Sequence, residues 1–139
     1  MTWWMFAFAS ALAASATAIL AKIGIQGVPS NLATALRTVV VLLFAWALVF
    51  ATGEHTLLRA LKPRSLLFLA LSGVGTGGSW LCYFRALQMA PASRVAPIDK
   101  ASLGFTILLA ALVLGESISW RVAGGAALIV AGALLTLGG

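Results

Sequence analysis

Residues 101–114 form a run of 14 positions without a single charge. That is too short for a bilayer-crossing helix, which needs about 20 predominantly apolar residues. A spanning helix must therefore draw on the residues before the run, and those include Pro97, Asp99 and Lys100. At a rise of about 1.5 Å per residue, a helix over 94–114 carries both charges roughly 8–10 Å from its start. Charges at membrane depth are unfavourable by about 2.5–3.5 kcal/mol each on insertion scales, and they usually serve function. Any fold for this chain has to house that helix and give its charges partners.

The rest of the chain reads the same way. Of 139 residues, 62% are hydrophobic and 9% charged, and the mean hydropathy is +1.08. A small soluble domain leaves most of its surface in water and cannot hide that much apolar area. The sequence predicts an all-α membrane protein. Its net charge of +6 is spread over scattered basic residues with no basic patch, so nucleic acid is not the expected partner. The lone Cys82 cannot close an intrachain disulfide, and His55 has no companions for a metal site. No cofactor is expected. The N-terminus lacks a basic leader and continues into a long apolar run, which reads as a first membrane helix and not a cleaved signal.

Five apolar segments emerge, at about 3–23, 31–51, 65–87, 94–114 and 118–137, and together they read as one domain, a five-transmembrane-helix bundle. In the first, Trp3 and Trp4 suit an interfacial belt. Ala7, Ala11, Ala14 and Ala18 line one face, leading to Lys22, an interfacial lysine. Gly24, Gly27 and Pro29 break the chain, and Ser30 or Asn31 is placed to cap the second helix. On that helix Thr34 and Thr38 share a face with Arg37 alongside, about 10 Å from the start. Arg37 either reaches back to headgroups or faces a cavity. In the third segment Gly73 and Gly77 have the GxxxG spacing of close helix packing. Trp80 and Phe84 share a face beyond them. The fifth segment, carrying Gly124, Gly125, Ala127 and Ala131, reads as a packing helix.

The run Tyr83-Phe84-Arg85-Ala86-Leu87-Gln88-Met89-Ala90-Pro91, then Pro97, then Leu114-Gly115-Glu116-Ser117-Ile118-Ser119 and the glycine-rich stretch 125–132 resemble the later part of an EamA domain. That domain is the repeating unit of the drug/metabolite transporter superfamily, and the chain is similar to its small single-domain members. The resemblance implies one EamA-type repeat and transport of a small metabolite or drug-like compound, not enzymatic chemistry. Two repeats facing each other are the working unit of such transporters, so the expected partners are a second copy of the chain, antiparallel by preference, the lipid bilayer and a small-molecule substrate. Such a chain belongs in the inner membrane of a prokaryote.

The candidate substrate- or ion-binding residues are Asp99, Lys100, Arg37, Thr34, Thr38 and Trp80, with Asp99 a candidate for proton exchange. Glu116, Gly73, Gly77 and Pro97 are assigned structural roles; Glu116 is expected to cap the last helix through its N-terminal dipole. An accessory membrane subunit without transport activity is the competing expectation.

Overall fold

The computed structural model describes residues 2–138. Its elements are α1 (Trp3–Gly24), α2 (Ser30–Thr52), a 3-10 helix (Glu54–Ala60), α3 (Pro63–Met89), α4 (Ala92–Lys100), α5 (Ser102–Leu114) and α6 (Trp120–Leu135), with no strand among the described residues. Four stretches are long and apolar enough to cross a membrane: α1, α2, α3, and α4 with α5 taken together. The fifth apolar helix, α6, has only 16 residues. The chain is thus an all-helical integral membrane protein with four span-length stretches and a shorter apolar helix, where the sequence led us to expect five comparable spans.

Local chemistry explains the two departures. The fourth segment is not continuous. Pro97 has no N–H to give the helix ladder, and its ring crowds the carbonyl one turn back. One turn later the Ala101 N–H bonds the Ile98 carbonyl at 3.0 Å, and the Gly104 N–H bonds Ala101 at 3.1 Å. These are three-residue turns of the tighter 3-10 type, and they separate α4 from α5. The last helix is short because Gly115, at φ 68°, turns α5 off in a left-handed conformation. The Glu116 N–H then closes onto the Ala110 carbonyl at 3.2 Å. Residues 116–119 are non-helical, and α6 begins only after Ser119.

The cap of α6 corrects one expectation. Ser119, and not Glu116, is the N-cap: its hydroxyl accepts a bond from the Val122 N–H at 3.3 Å. Glu116 lies three residues too early to reach the free N–H groups. A second correction concerns α2, which starts at Ser30 itself after Pro29 and has no side-chain cap; the Ala33 N–H bonds the Pro29 carbonyl instead.

The chain divides into two compact units, one holding α1 up to Lys22 together with the residues from Met89 onward, the other Ile23–Gln88. In the first, α4 and α5 both pack on α6. The closest approach is at Gly104, where a Cβ would lie 3.0 Å from Cγ2 of Val130. Val95, Ala126 and Ala133 are buried there. Lys22 Nζ donates to the Ala90 carbonyl at 2.9 Å, so the lysine expected at the interface bonds the turn that leads into α4.

In the second unit, Ile25, Phe84 and Leu87 are buried with Thr34. Gln88 Nε2 donates to the Val28 carbonyl at 2.7 Å, tying the end of α3 to the turn before α2. The 3-10 helix folds back on α2, where Trp46, Phe50 and His55 stack ring on ring at 5.7 and 5.3 Å. The GxxxG pair does not supply the packing expected of it. A Cβ at Gly73 or Gly77 would meet no described atom within 4 Å, so this face is open in the single chain.

Candidate functional site

The polar residues at membrane depth fall into two groups, one in each unit. The first stands where α4 ends. Lys100 Nζ lies 3.4 Å from Asp99 Oδ2. Neighbours in sequence do not face each other on a regular helix, and this pair stands in the last turn of α4. The pair is loose, with the Lys100 side chain 64% and the Asp99 side chain 38% exposed within the chain. Pairing at that distance and exposure holds the charges together weakly. The pair leaves both groups capacity for further partners, since a carboxylate accepts several bonds and an ammonium donates three.

The second group lies between α2 and α3. The Arg37 guanidinium carbon sits 3.9 Å from the centroid of the Trp80 ring and 5.6 Å from that of Phe84. Both are within the roughly 6 Å over which a ring quadrupole attracts a cation. Arg37 is about 10 Å along α2 from Ser30, and Trp80 is about 13 Å from the Met89 end of α3. The guanidinium is therefore held against Trp80 partway along both helices. Phe84 is buried at 3% exposure and fixes the ring wall. The energies do not balance, however. Ring contacts offer about 0.5–2 kcal/mol, against about 2.5–3.5 kcal/mol for an arginine at mid-membrane.

Thr34 and Thr38 flank Arg37, but their hydroxyl protons are already used. Thr34 Oγ1 donates to the Ser30 carbonyl at 2.9 Å, and Thr38 Oγ1 donates to the Thr34 carbonyl at 2.8 Å. Such back-bonding leaves only hydroxyl lone pairs for a ligand. Thr34 is buried at 6% exposure; Thr38 is exposed. Arg37 thus joins α2 to Trp80 and Phe84 of α3, while Thr34 and Thr38 are engaged within α2. Asp99 and Lys100 are joined to each other in the other unit.

Three contributors escaped the sequence. Phe84 was legible as a companion of Trp80 one turn on, but not as a wall for Arg37. Gln88 and Lys22 act through backbone carbonyls, Val28 and Ala90, and no spacing rule foretells a bond across 60 or more residues. Along α6, an open and almost wholly apolar groove of about 710 Å³ is lined by Trp120, Arg121, Gly124, Gly125, Ala127, Leu128 and Ala131. The helix read as a packing helix thus presents its small-residue face uncovered.

Comparison with known proteins gives two matches. The model of the EamA-like transporter family matches residues 1–138. A protein of Sinorhizobium sp named "Uncharacterized transporter in cobO 3'region" is 46% identical over 134 residues, covering 96% of this chain and 95% of the relative. No solved structure matches the chain.

Proposed function

Because the chain belongs to the EamA-like transporter family, we propose that it is a secondary transporter of a small metabolite or drug-like compound and not an enzyme. It works by alternating access, as one EamA-type repeat paired with a second copy, in the inner membrane of a prokaryote. The observation that carries this reading is the interrupted span α4–α5 with Asp99 and Lys100 beside its break. Transporters commonly build their substrate and ion sites from discontinuous helices, whose interrupted backbone lines a cavity. A break also permits movement: two short helices can tilt about Ala101 where a continuous one would resist bending. In this scheme Asp99 alternates between Lys100 and the coupling proton, Lys100 serves as its neutralising partner, and Arg37 with Trp80 holds the solute.

Reconstituted liposomes under imposed pH and voltage gradients test the scheme. We expect the wild-type chain to move solute against its gradient when a pH gradient is applied. Asp99→Asn should abolish that accumulation while leaving downhill exchange within a few-fold. A folded wild-type chain that moves no solute under any gradient would remove the transporter reading and leave an accessory subunit in its place.

A further inference from the structure

We infer that Arg37 and Trp80 form a recognition site for an oxyanion, the carboxylate or phosphate group of the transported solute; the solute assignment rests on the transporter reading above. Arg37 is the one cation of its unit held deep on a spanning helix against aromatic rings. A guanidinium carries only donors, set around the edge of a planar fork. The rings of Trp80 and Phe84 attract its charge but offer no lone pairs to those donors. Among the described residues no carboxylate lies within ion-pair distance of Arg37. The unit's single acid is Glu54, in the 3-10 helix beyond the far end of α2. Thr34 and Thr38 have spent their protons on the helix carbonyls, so they offer an anion no donor and leave its recognition to Arg37.

The cluster therefore presents a fixed positive fork walled by aromatic surface, with Tyr83 within electrostatic reach of the guanidinium and no carboxylate among the described residues to neutralise it. The chemical complement is a planar or tetrahedral oxyanion, which takes two parallel N–H bonds from arginine, attached to an apolar body that lies against Trp80. A cationic solute fits badly, because Arg37 would repel it and the second unit has no membrane-depth carboxylate to offset that. A lipid headgroup phosphate carries the same oxyanion chemistry, and the experiment must separate the two sources.

The test uses the full chain in a neutral detergent, with sodium benzoate and inorganic phosphate as probes and choline chloride as the cationic control at matched ionic strength. Tryptophan fluorescence and calorimetry report binding. We expect saturable binding of at least one oxyanion and none of choline. Arg37→Gln should weaken it tenfold or more, and Arg37→Lys, which keeps the charge but loses the fork, should weaken it less. Trp80→Leu should weaken benzoate more than phosphate. Arg37→Lys, with its circular dichroism compared to wild type, keeps the test valid if the glutamine variant misfolds. Repeating the titration in nanodiscs of phosphatidylcholine with and without phosphatidylglycerol distinguishes the sources. Competition by phosphatidylglycerol that depends on Arg37 would hand the site to a lipid and overturn the solute assignment. Oxyanion binding equal in wild type and Arg37→Gln, or absent in folded wild type, overturns the site itself. Flux separates the two proposals. Arg37-dependent binding without flux removes the transporter reading alone, whereas choline flux indifferent to Arg37→Gln removes this inference alone.

Discussion

Single residues in this chain act mostly through backbone groups that helix geometry leaves unpaired. The first N–H groups of a helix and its last carbonyls have no partner within the helix. Ser119 meets one such N–H at the start of α6, and Lys22 meets the Ala90 carbonyl just past the end of α3. The contrast between Ser119 and Glu116 is a direct test of which side chain starts α6. Ser119→Ala should destabilise the detergent-solubilised chain by about 1 kcal/mol, the usual effect of removing a serine cap. Glu116→Gln should shift the denaturation midpoint negligibly, because its side chain lies outside the cap. A larger shift from Glu116→Gln than from Ser119→Ala would restore the carboxylate as the cap.

Between elements, what matters is how closely two helix backbones can come. In membranes there is little hydrophobic drive between helices, so association rests on close van der Waals packing, and small residues permit it. Of the glycines on the membrane helices, Gly104 is where another side chain stands close, with Val130 of α6 against it. Adding a methyl there forces Val130 to yield by a few tenths of an ångström, and a β-branched side chain has few rotamers to yield into. Gly104→Ala should therefore weaken α5–α6 packing by roughly 1–3 kcal/mol, the range for overpacking. Val130→Ala in the same chain should recover most of that loss, a coupling that a double-mutant cycle of denaturation midpoints measures. Gly73→Ala and Gly77→Ala provide the comparison: with no described atom within 4 Å, either should be neutral in the isolated subunit.

For the whole molecule, the open small-residue faces of α3 and α6 and the sparse set of buried side chains leave much packing surface for lipid or a second copy. The charges bear on how that copy is oriented. If all five apolar stretches cross, Arg59, Lys62, Arg64 and Arg121 lie on one side, and Lys22, Arg85 and Arg94 on the other. Orientation follows the Lys/Arg bias of short loops, and four against three is almost no bias. We expect both orientations in the membrane and an antiparallel homodimer. A compartment-sensitive reporter on the C-terminus should give signal from both sides, evened by Lys62→Ala and shifted toward one side by lysines added to the loops of the four-residue side. A reporter seen from a single side and indifferent to such changes would favour a parallel pair, or a chain in which the short α6 does not cross.

The sequence alone determined the medium, because a chain with 62% hydrophobic residues and long uncharged runs has only one solvent that suits it. It also determined the helix-only architecture, since a bilayer leaves no water to satisfy an exposed backbone, and it marked the charges at depth, whose rarity among apolar neighbours makes them legible. Tertiary structure decided the rest. Whether Pro97 merely bends the fourth segment or parts it at Ala101 depends on which carbonyls the neighbouring N–H groups reach, a balance between nearly equal hydrogen-bonding patterns. Where α6 begins turned on Gly115 adopting a left-handed conformation, which glycine permits but does not compel. That Arg37 lies over Trp80, that Gln88 holds Val28, and that Gly104 rather than Gly73 or Gly77 is the tight contact all depend on which faces of distant helices meet. Periodicity shows which residues share a face; only the packed chain shows what that face is turned toward.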